Sequence, residues 1–368
     1  MKKEYFRYLF ILCTLMLIAC RSQKETANVS TPTAMEQSTP TVKPLQTIEN
    51  TSTPFVTSTS EYSIYEINPS LMGIVDDLPD LATSTSTKPI WIEVLCWTFT
   101  VPCDWTNYTL RRPYGNNIIQ PEFSYEYREE FTTLIAEKIV ATGTHEAYIA
   151  LIEGQADIIL VARAPSETEL AAAESQGVAL DIQPVALDAF VFIVNVQNPA
   201  DNLSIEQVQD IYSGKITNWQ DVGGLDQEIH PYQREADSGS QELMNTLVMK
   251  DKTMIDAPEM IQYSMAGPFI AIGQSPGNSE GDIQGLGYTV YFYAQNMALN
   301  DDIEFIGING VEPTFVTIAN GRYPLTSDVY VVIRNGEPIN SSVVELRNWL
   351  LSDEGQRVIG FSGYVPIR

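Results

Sequence analysis

Short apolar runs separated by amphipathic segments constrain the fold of this chain more than any other feature. Each run has the length of one buried strand, and the segments between the runs carry apolar residues at helical spacing, an alternation typical of α/β proteins. About 280 residues from Pro89 onward have this texture, enough for two lobes with separate cores. The predicted strands are residues 90–95, 157–162, 189–195, 288–294 and 329–333.

Capping residues mark the predicted helices. Ser166 with Glu169, and Ser204 with Gln207, have the spacing of a capping box, in which two side chains satisfy each other's backbone N–H groups. A glycine follows each of these segments, as is common where a helix ends in a left-handed residue. These glycines are Gly177 and Gly214, and further helices are predicted at 131–139, 342–351 and 353–363.

The start of the chain has the features of an export signal. Lys2, Lys3 and Arg7 precede an apolar stretch too short to span a bilayer comfortably. Ala19 and Cys20 end this stretch in a pattern that resembles the lipobox of bacterial lipoproteins. The resemblance implies cleavage before Cys20, acylation of its sulfur with chains such as palmitate, and a protein held at the outer face of the cell membrane. An uncleaved anchor with an incidental cysteine is the alternative.

The next segment, residues 21–88, is rich in serine, threonine and proline. Such a composition buries too little apolar surface to offset the entropy lost on ordering, so we expect an extended tether. Apolar residues between positions 62 and 75 interrupt the pattern and leave the conformation of residues 61–88 open.

Charge and composition exclude several functions. The formal net charge of −26 argues against binding to nucleic acid or, through charge, to anionic lipid. With only His145 and His230, the chain has no His-rich metal cluster, and it carries no nucleotide-binding or hydrolase motif. We therefore expect no metal, no cofactor and no catalytic residue. Cys96 and Cys103 are predicted to form a local disulfide in an oxidising compartment, with two free thiols as the alternative.

The segment from residue 186 to residue 249 contains the most specific pattern in the chain. It reads, in order, DAFVFIVN at 188–195, NP at 198–199, IYSGKITNW at 211–219, VGG at 222–224, QR at 233–234 and SGS at 238–240. This order closely resembles the phosphate-binding family of ABC-transporter solute receptors, and the resemblance covers most of residues 110–368. It implies a type II periplasmic-binding-protein fold, in which two α/β lobes are joined by two crossing strands. The expected domains are a signal peptide at 1–20, a tether at 21–88, lobe I at 89–187 with 293–368, and lobe II at 188–292.

The residues around Ser238 also fit anion capture on physical grounds. Ser238, Gly239 and Ser240 open a predicted helix, whose N-terminus offers free N–H groups and the positive end of its dipole. The serine hydroxyls add donors, Gly239 permits close approach of the backbone, and Arg234 offers a charge-assisted fork. The alternative makes a serine an ordinary N-cap and Arg234 a surface residue. Given the resemblance, we predict that these residues bind an anion.

The first lobe departs from the pattern of the family. Such receptors usually offer a loop rich in Gly, Ser and Thr, and the nearest match here is Gly115, Asn116 and Asn117, whose amides can donate. After the predicted strand at 157–162, Arg163 either compensates with its charge or points to solvent.

A second departure concerns selectivity. Where the family commonly places a serine and an acceptor for the phosphate proton, this chain has Val161 and Ala162. Loss of the acceptor predicts weaker discrimination between phosphate and sulfate. Asp237 and Asp188 are the carboxylates best placed in sequence to substitute.

The resemblance implies an extracytoplasmic, lipid-anchored monomer that binds phosphate or a related oxyanion between its lobes. Its partner would be the permease of an ABC transporter. One alternative is a non-transporting interaction or signalling module with a decayed anion pocket. The other is a hydrolase with Ser238 or Ser240 as nucleophile, for which His230 is the nearest candidate base.

Overall fold

A mixed α/β architecture is seen in the computed structural model, which describes residues 65–104, 122–123, 128–273 and 281–368. The strands are β1 (Leu81–Ser84), β2 (Cys103–Asp104), β3 (Glu122–Phe123), β4 (Ile139–Thr142), β5 (Ile158–Val161), β6 (Leu180–Asn195), β7 (Asn202–Leu203), β8 (His230–Pro231), β9 (Gln233–Arg234), β10 (Ile261–Gln262), β11 (Gly285–Val290), β12 (Ile303–Ile308), β13 (Thr326–Arg334) and β14 (Val365–Pro366). The helices are α1 (Met72–Val75), α2 (Lys88–Thr98), α3 (Arg128–Lys138), α4 (Thr144–Ile152), α5 (Glu167–Ser175), α6 (Ile205–Tyr212), α7 (Gly239–Leu243), α8 (Gly267–Ile272), α9 (Phe315–Ala319), α10 (Ser342–Leu350) and α11 (Asp353–Phe361).

One long strand, β6, belongs to two groups of strands. Its N-terminal part pairs antiparallel with β13, and β13 leads on to β5, β1 and β4, which run parallel to one another. We call these strands the first-lobe group. The C-terminal part of β6 pairs antiparallel with β11 and β12, and β11 pairs in parallel with β8; these strands are the second-lobe group. The partner changes between Ala189, opposite Thr326, and Phe190, opposite Val290. The predicted two-lobed fold is confirmed; of the two crossing strands expected, β6 is the one that pairs with both groups.

The core lies where both faces of the sheet are covered. Phe190, Val191, Phe192, Ile193 and Val194 of β6 are all fully buried, which explains why this strand reads as a continuous apolar run rather than an alternating one. The runs predicted as strands at 157–162, 189–195 and 329–333 are confirmed in β5, β6 and β13.

The prediction of a strand at residues 90–95 is wrong, because these residues lie in helix α2. Pro89 stands in the first turn of that helix, where a residue without an N–H is tolerated. Ile90, Trp91, Val94 and Leu95 are almost completely buried. A helix that is apolar on all sides gives no helical periodicity, so the pattern alone does not distinguish it from a strand.

The predicted tether is folded in its described part. Leu71, Ile74 and Val75 are buried in the main core, and β1 pairs in parallel with both β4 and β5. Residues 21–64 lie outside the described residues. The first lobe therefore begins before residue 89, because the central strand β1 belongs to its sheet.

The predicted return to the first lobe at residue 293 is also corrected. Strand β12 pairs with the C-terminal part of β6, in the second-lobe group, so the chain returns only after it. The strand predicted at 288–294 ends at Val290, and a π-helical turn follows at Tyr293–Met297.

The predicted helix starts are confirmed where capping boxes were expected. Ser166 with Glu169 caps α5, and Ser204 with Gln207 caps α6, each with both reciprocal hydrogen bonds. Gly214, beyond α6, has a φ of 76°, the left-handed conformation that ends such a helix.

Cys96 and Cys103 are joined by a disulfide, with Cα atoms 6.1 Å apart. The pair links the C-terminal turn of α2 to β2. Its geometry lies within the Cα–Cα range usual for such bridges.

Candidate functional site

A cavity of about 420 Å³ lies beside the carboxyl ends of parallel strands. The loops after β1, β4 and β5 meet at one edge of the first-lobe group, which is where ligands bind in open α/β sheets. The segments that follow the parallel pair β9 and β10 contribute the opposing wall. The lining residues are Ser84, Thr85, Ser86, Thr142, Gly143, Thr144, Glu146, Ala162, Arg163, Arg234, Glu235, Asp237, Ser238, Gly239, Ser240, Leu243, Tyr263, Ser264, Met265 and Val290.

The loop after β1 supplies hydroxyl groups to the first-lobe wall. Thr87 Oγ1 lies 2.6 Å from Thr83 Oγ1 and donates to the Leu160 carbonyl at 2.7 Å. Tyr364 donates to the Ser86 carbonyl at 2.9 Å. Because these bonds satisfy the polar groups, a sequence of alternating threonine and serine is buried at every position except Thr85.

Arg234 is the buried cation of the opposite wall and is 7% exposed. Its Nε donates to the Gln262 carbonyl at 2.9 Å, and its Nη2 lies 3.5 Å from Glu235 Oε1. The other terminal nitrogen, Nη1, contacts the Met265 sulfur at 3.6 Å, a weak acceptor. Burial lowers the pKa of Arg234 from its usual value, and the neighbouring Glu235 opposes this shift. The guanidinium is thus fixed through Nε, with its two terminal nitrogens only weakly paired.

The backbone of Arg234 is also held in place. Its N–H lies 2.9 Å from the Tyr288 hydroxyl and 3.1 Å from Gln241 Oε1. Tyr288 in turn donates to Gln241. Strand β9, strand β11 and helix α7 are therefore joined behind the site, and this fixes the position of the arginine relative to Ser238 and Ser240.

The helices that begin beside the cavity have no side-chain cap. Thr87 before α2, Gly143 before α4 and Ser238 before α7 make no capping hydrogen bond. The first N–H groups of a helix need a partner, and a free N-terminus attracts negative charge. Helices α5, α6, α9, α10 and α11 each have a capping side chain: Ser166, Ser204, Thr314, Ser341 and Ser352. The short helices α1 and α8 also begin without one.

Gly239 and Thr144 are in close contact across the cavity. A Cβ on Gly239 would lie 2.5 Å from Thr144 Oγ1 and 3.9 Å from Arg163 Nε. Only glycine permits this approach, so the tip of the Ser238–Ser240 turn rests directly on the start of α4.

Arg163 lies in the cavity wall, but its charge is already paired. Its two terminal nitrogens donate to the carboxylate oxygens of Glu169, both at 2.7 Å. Burial acts to raise the pKa of Glu169, but hydrogen bonds and charge from Arg163 outweigh this effect and the pKa is lowered. The Arg163 side chain is 5% exposed, and its Nε has no hydrogen-bond partner. The alternative in which Arg163 points to solvent is wrong, because the side chain is buried. Compensation through its charge stays a prediction, in which Nε is the nitrogen left for a ligand.

Three carboxylates line the cavity, and that of Glu146 lies against Gly143 at the start of α4. Glu146 and Asp237 are exposed, and Glu235 is partly exposed. Asp188, the other predicted proton acceptor, does not line the cavity: its Oδ1 accepts from the backbone N–H groups of Ala189 at 2.8 Å and Phe292 at 3.0 Å. It lies at the crossing point of β6, so that part of the prediction is wrong.

The remaining predicted residues divide between this cavity and the undescribed parts of the chain. Arg234, Ser238, Gly239, Ser240 and Arg163 all line the cavity. Gly115, Asn116, Asn117 and Cys20 lie outside the described residues.

Sequence reasoning missed three segments of the lining. Ser84, Thr85 and Ser86 fall in the predicted tether, and no site residue is predicted at 142–146 or 263–265. The available signal was Pro89, shortly after the hydroxyl-rich run, which marks the start of a helix.

The hydrolase alternative gains no support from this geometry. His230 Nδ1 lies 2.8 Å from Asp282 Oδ2, and no histidine lines the cavity among the residues described. A serine nucleophile needs a base within hydrogen-bond reach.

The described segments also contain no helix long and apolar enough to cross a membrane.

Comparisons with known proteins agree with this architecture. A family model described as the PBP superfamily domain matches residues 124–354. The phosphate-binding protein PstS of Borreliella burgdorferi is 24% identical over 184 residues, which are 50% of this chain and 64% of the relative. The protein of the same name from Staphylococcus epidermidis is 29% identical over 230 residues, 61% of this chain and 67% of the relative. The chain thus spans about two thirds of the length of these curated relatives.

Solved structures show the same fold. A substrate-binding protein from Clostridium perfringens, solved with bound phosphate, superposes with a TM-score of 0.54 at 21% identity and covers 78% of this chain and 98% of its own. An ABC-type phosphate transport receptor from Vibrio cholerae gives a TM-score of 0.51 at 23% identity, covering 77% and 98%. At these identities the likeness establishes the fold.

Proposed function

The chain belongs to the PBP superfamily, and on that basis we propose that it binds phosphate or a related oxyanion in the cavity between its lobes and delivers it to an ABC transporter. In this proposal Cys20 carries the lipid that holds the protein at the outer face of the cell membrane. The names of the relatives, phosphate-binding protein PstS, support the proposed ligand.

The observation that carries the proposal is the set of uncapped helix starts around Arg234. Helices α2, α4 and α7 begin beside the cavity without side-chain caps. Helix α2 adds little, because Pro89 has no N–H and the Ile90 N–H donates to the Thr87 carbonyl, and the Glu146 carboxylate lies against Gly143 at the start of α4. The main donors are therefore the N–H groups at the start of α7, the hydroxyls of Ser86, Ser238 and Ser240, and the weakly paired Arg234. An oxyanion accepts from all of them, and burying it requires that most of its oxygens gain a donor.

The energetics favour tight binding despite the acidic composition. Hydrogen bonds to a charged group contribute about 1.5–3 kcal/mol each, so a few of them reach micromolar affinity, which corresponds to about 8 kcal/mol. The net charge of −26 repels an anion at long range. At physiological salt this repulsion is screened beyond about 8 Å, so we expect slower capture rather than lost affinity.

Calorimetric titration of the full-length chain, purified in detergent, with inorganic phosphate tests the proposal. We expect a saturable heat with a dissociation constant of about 10⁻⁶ M or below, and a melting temperature that rises with phosphate. Sodium chloride at equal ionic strength is the control and should give neither effect. Absence of heat and of any shift at millimolar phosphate would contradict the proposal and favour the non-transporting interaction module.

A further inference from the structure

The cavity is larger than a simple oxyanion requires. Its volume of about 420 Å³ falls in the range of about 300–1,000 Å³ that is usual for small organic ligands. A tetrahedral oxyanion has five heavy atoms, and at about 30 Å³ for each water-sized atom it occupies less than half of this space. The remainder has room for a short substituent.

The inner wall of the cavity is built for negative charge. Arg234, Ser238, Ser240 and Ser86 are each at most 9% exposed. Arg163, 5% exposed, adds a side-chain nitrogen that has no partner, close to Gly239. A buried donor without a partner is costly, so this nitrogen points to an acceptor supplied by a ligand.

The outer part of the same cavity has the opposite character. Glu235 and Asp237 place two carboxylates there, and Asp237 forms no ion pair with any basic side chain in the described part of the chain. Glu235 lies 3.5 Å from Arg234, and its side chain is 38% exposed.

An aromatic ring completes this outer part. Tyr263 is 72% exposed, although it lines the cavity. Exposed aromatic faces attract ammonium groups through the ring quadrupole. A purely anionic ligand gains nothing from the carboxylates or from this ring, whereas a ligand with a positive end interacts favourably with both.

We propose that the preferred ligand is zwitterionic: a phosphate or phosphonate group linked through a short alkyl chain to an ammonium group. The oxyanion lies among Arg234, Arg163 Nε and the turn from Ser238 to Ser240 that opens α7. The ammonium lies between the carboxylates of Glu235 and Asp237, beside Tyr263. This assignment rests on the proposed oxyanion site and names the class of ligand which that site selects.

Calorimetry on the full-length chain with three probes tests the assignment. The probes are inorganic phosphate, phosphoethanolamine and propyl phosphate, which has a methyl group where phosphoethanolamine has its ammonium. We expect phosphoethanolamine to bind at least about tenfold more tightly than propyl phosphate. Glu235→Gln combined with Asp237→Asn should bring this ratio close to one, and Glu206→Gln, an exposed acid away from the cavity, should leave the ratio as in the wild type.

The possible results separate the two proposals. Equal affinity of the wild type for phosphoethanolamine and propyl phosphate would overturn the zwitterion assignment, and binding of inorganic phosphate would still support the oxyanion site. A preference for phosphoethanolamine that survives the double substitution would overturn the assignment to these carboxylates. If none of the three probes binds to folded protein, the oxyanion proposal itself fails.

Discussion

Two buried arginines line the cavity, and they have different roles because their neighbours differ. Arg163 gives both terminal nitrogens to Glu169, so its charge is neutralised within the first lobe. Arg234 has only a partly exposed glutamate at 3.5 Å. An anion therefore gains more from Arg234, although the two side chains are almost equally buried.

Arg234→Ala should weaken phosphate binding by about 2 kcal/mol, or roughly thirtyfold, because it removes a charge-assisted partner from a buried site. Calorimetric titration measures the change, and urea unfolding checks that the variant remains folded. Arg322→Ala, which removes an exposed arginine, is the matched control and should bind as the wild type does. Unchanged affinity in Arg234→Ala would show that Arg234 is not a ligand residue.

At the scale of elements, the contrast lies between helices that are capped and helices that are not. Ser204 caps α6 through the backbone N–H of Gln207 at 3.1 Å. Ser238, at the same position before α7, makes no such bond. The same residue type therefore stabilises one helix and is left free to act as a donor at the other.

Ser204→Ala should lower the free energy of unfolding by about 1 kcal/mol, the usual value of an N-cap, and leave phosphate affinity unchanged. Ser238→Ala should do the reverse, with little loss of stability and several-fold weaker phosphate binding. Urea unfolding and calorimetry on both variants check the pair. Equal losses of stability would show that Ser238 is an ordinary cap.

At the scale of the whole molecule, Asp188 lies where β6 passes from the first-lobe group to the second. It accepts the N–H of Phe292, and the Phe292 ring stacks on Tyr364 with centroids 3.8 Å apart. Burial raises the pKa of Asp188 to about 7, and the hydrogen bonds from Phe292 and Ala189 oppose this shift. Tyr291 and Tyr364 are the titratable groups that interact with its charge.

This raised pKa makes stability depend on pH. From about pH 4 to about pH 7 the folded protein retains a proton that the unfolded chain has released, so the free energy of unfolding falls as pH rises. The free energy of unfolding falls by 1.36 kcal/mol for each pH unit across this window, which amounts to roughly 4 kcal/mol at most. Asp188→Asn cannot titrate, so the stability of the wild type relative to this variant should decline across that window. Urea unfolding at several pH values measures the difference, with the exposed Asp301→Asn as control; a constant difference for Asp188→Asn would refute the assignment.

The proposed localisation is tested on the whole chain. Cys20→Ser removes the only sulfur available at the predicted lipobox, so the precursor should stay unlipidated and leave the membrane fraction. Cell fractionation with immunoblotting measures this, and Cys13→Ser, within the apolar stretch, is the matched control. Membrane retention of an uncleaved Cys20→Ser protein would identify a plain anchor.

Local patterns were enough to predict much of this molecule. The capping boxes at Ser166 and Ser204 and the turn from Ser238 to Ser240 involve residues a few positions apart, so their meaning is visible in sequence. The family pattern between residues 186 and 249 likewise pointed to the two-lobed fold and to Arg234.

The first-lobe side of the cavity was not predictable in this way. Thr83 to Thr87 have the composition of a linker, and all but Thr85 are buried, because β1 pairs with two strands more than fifty residues away, β4 and β5. The sequence of helix α2 has the pattern of a buried strand, because the helix is packed on all sides and is therefore apolar all round. The pairing of Arg163 with Glu169 depends on the burial of both side chains, which their spacing in the sequence does not indicate. Hydrogen bonds within a helix turn are encoded locally, whereas burial and the neutralisation of a charge depend on partners that only the folded chain brings together.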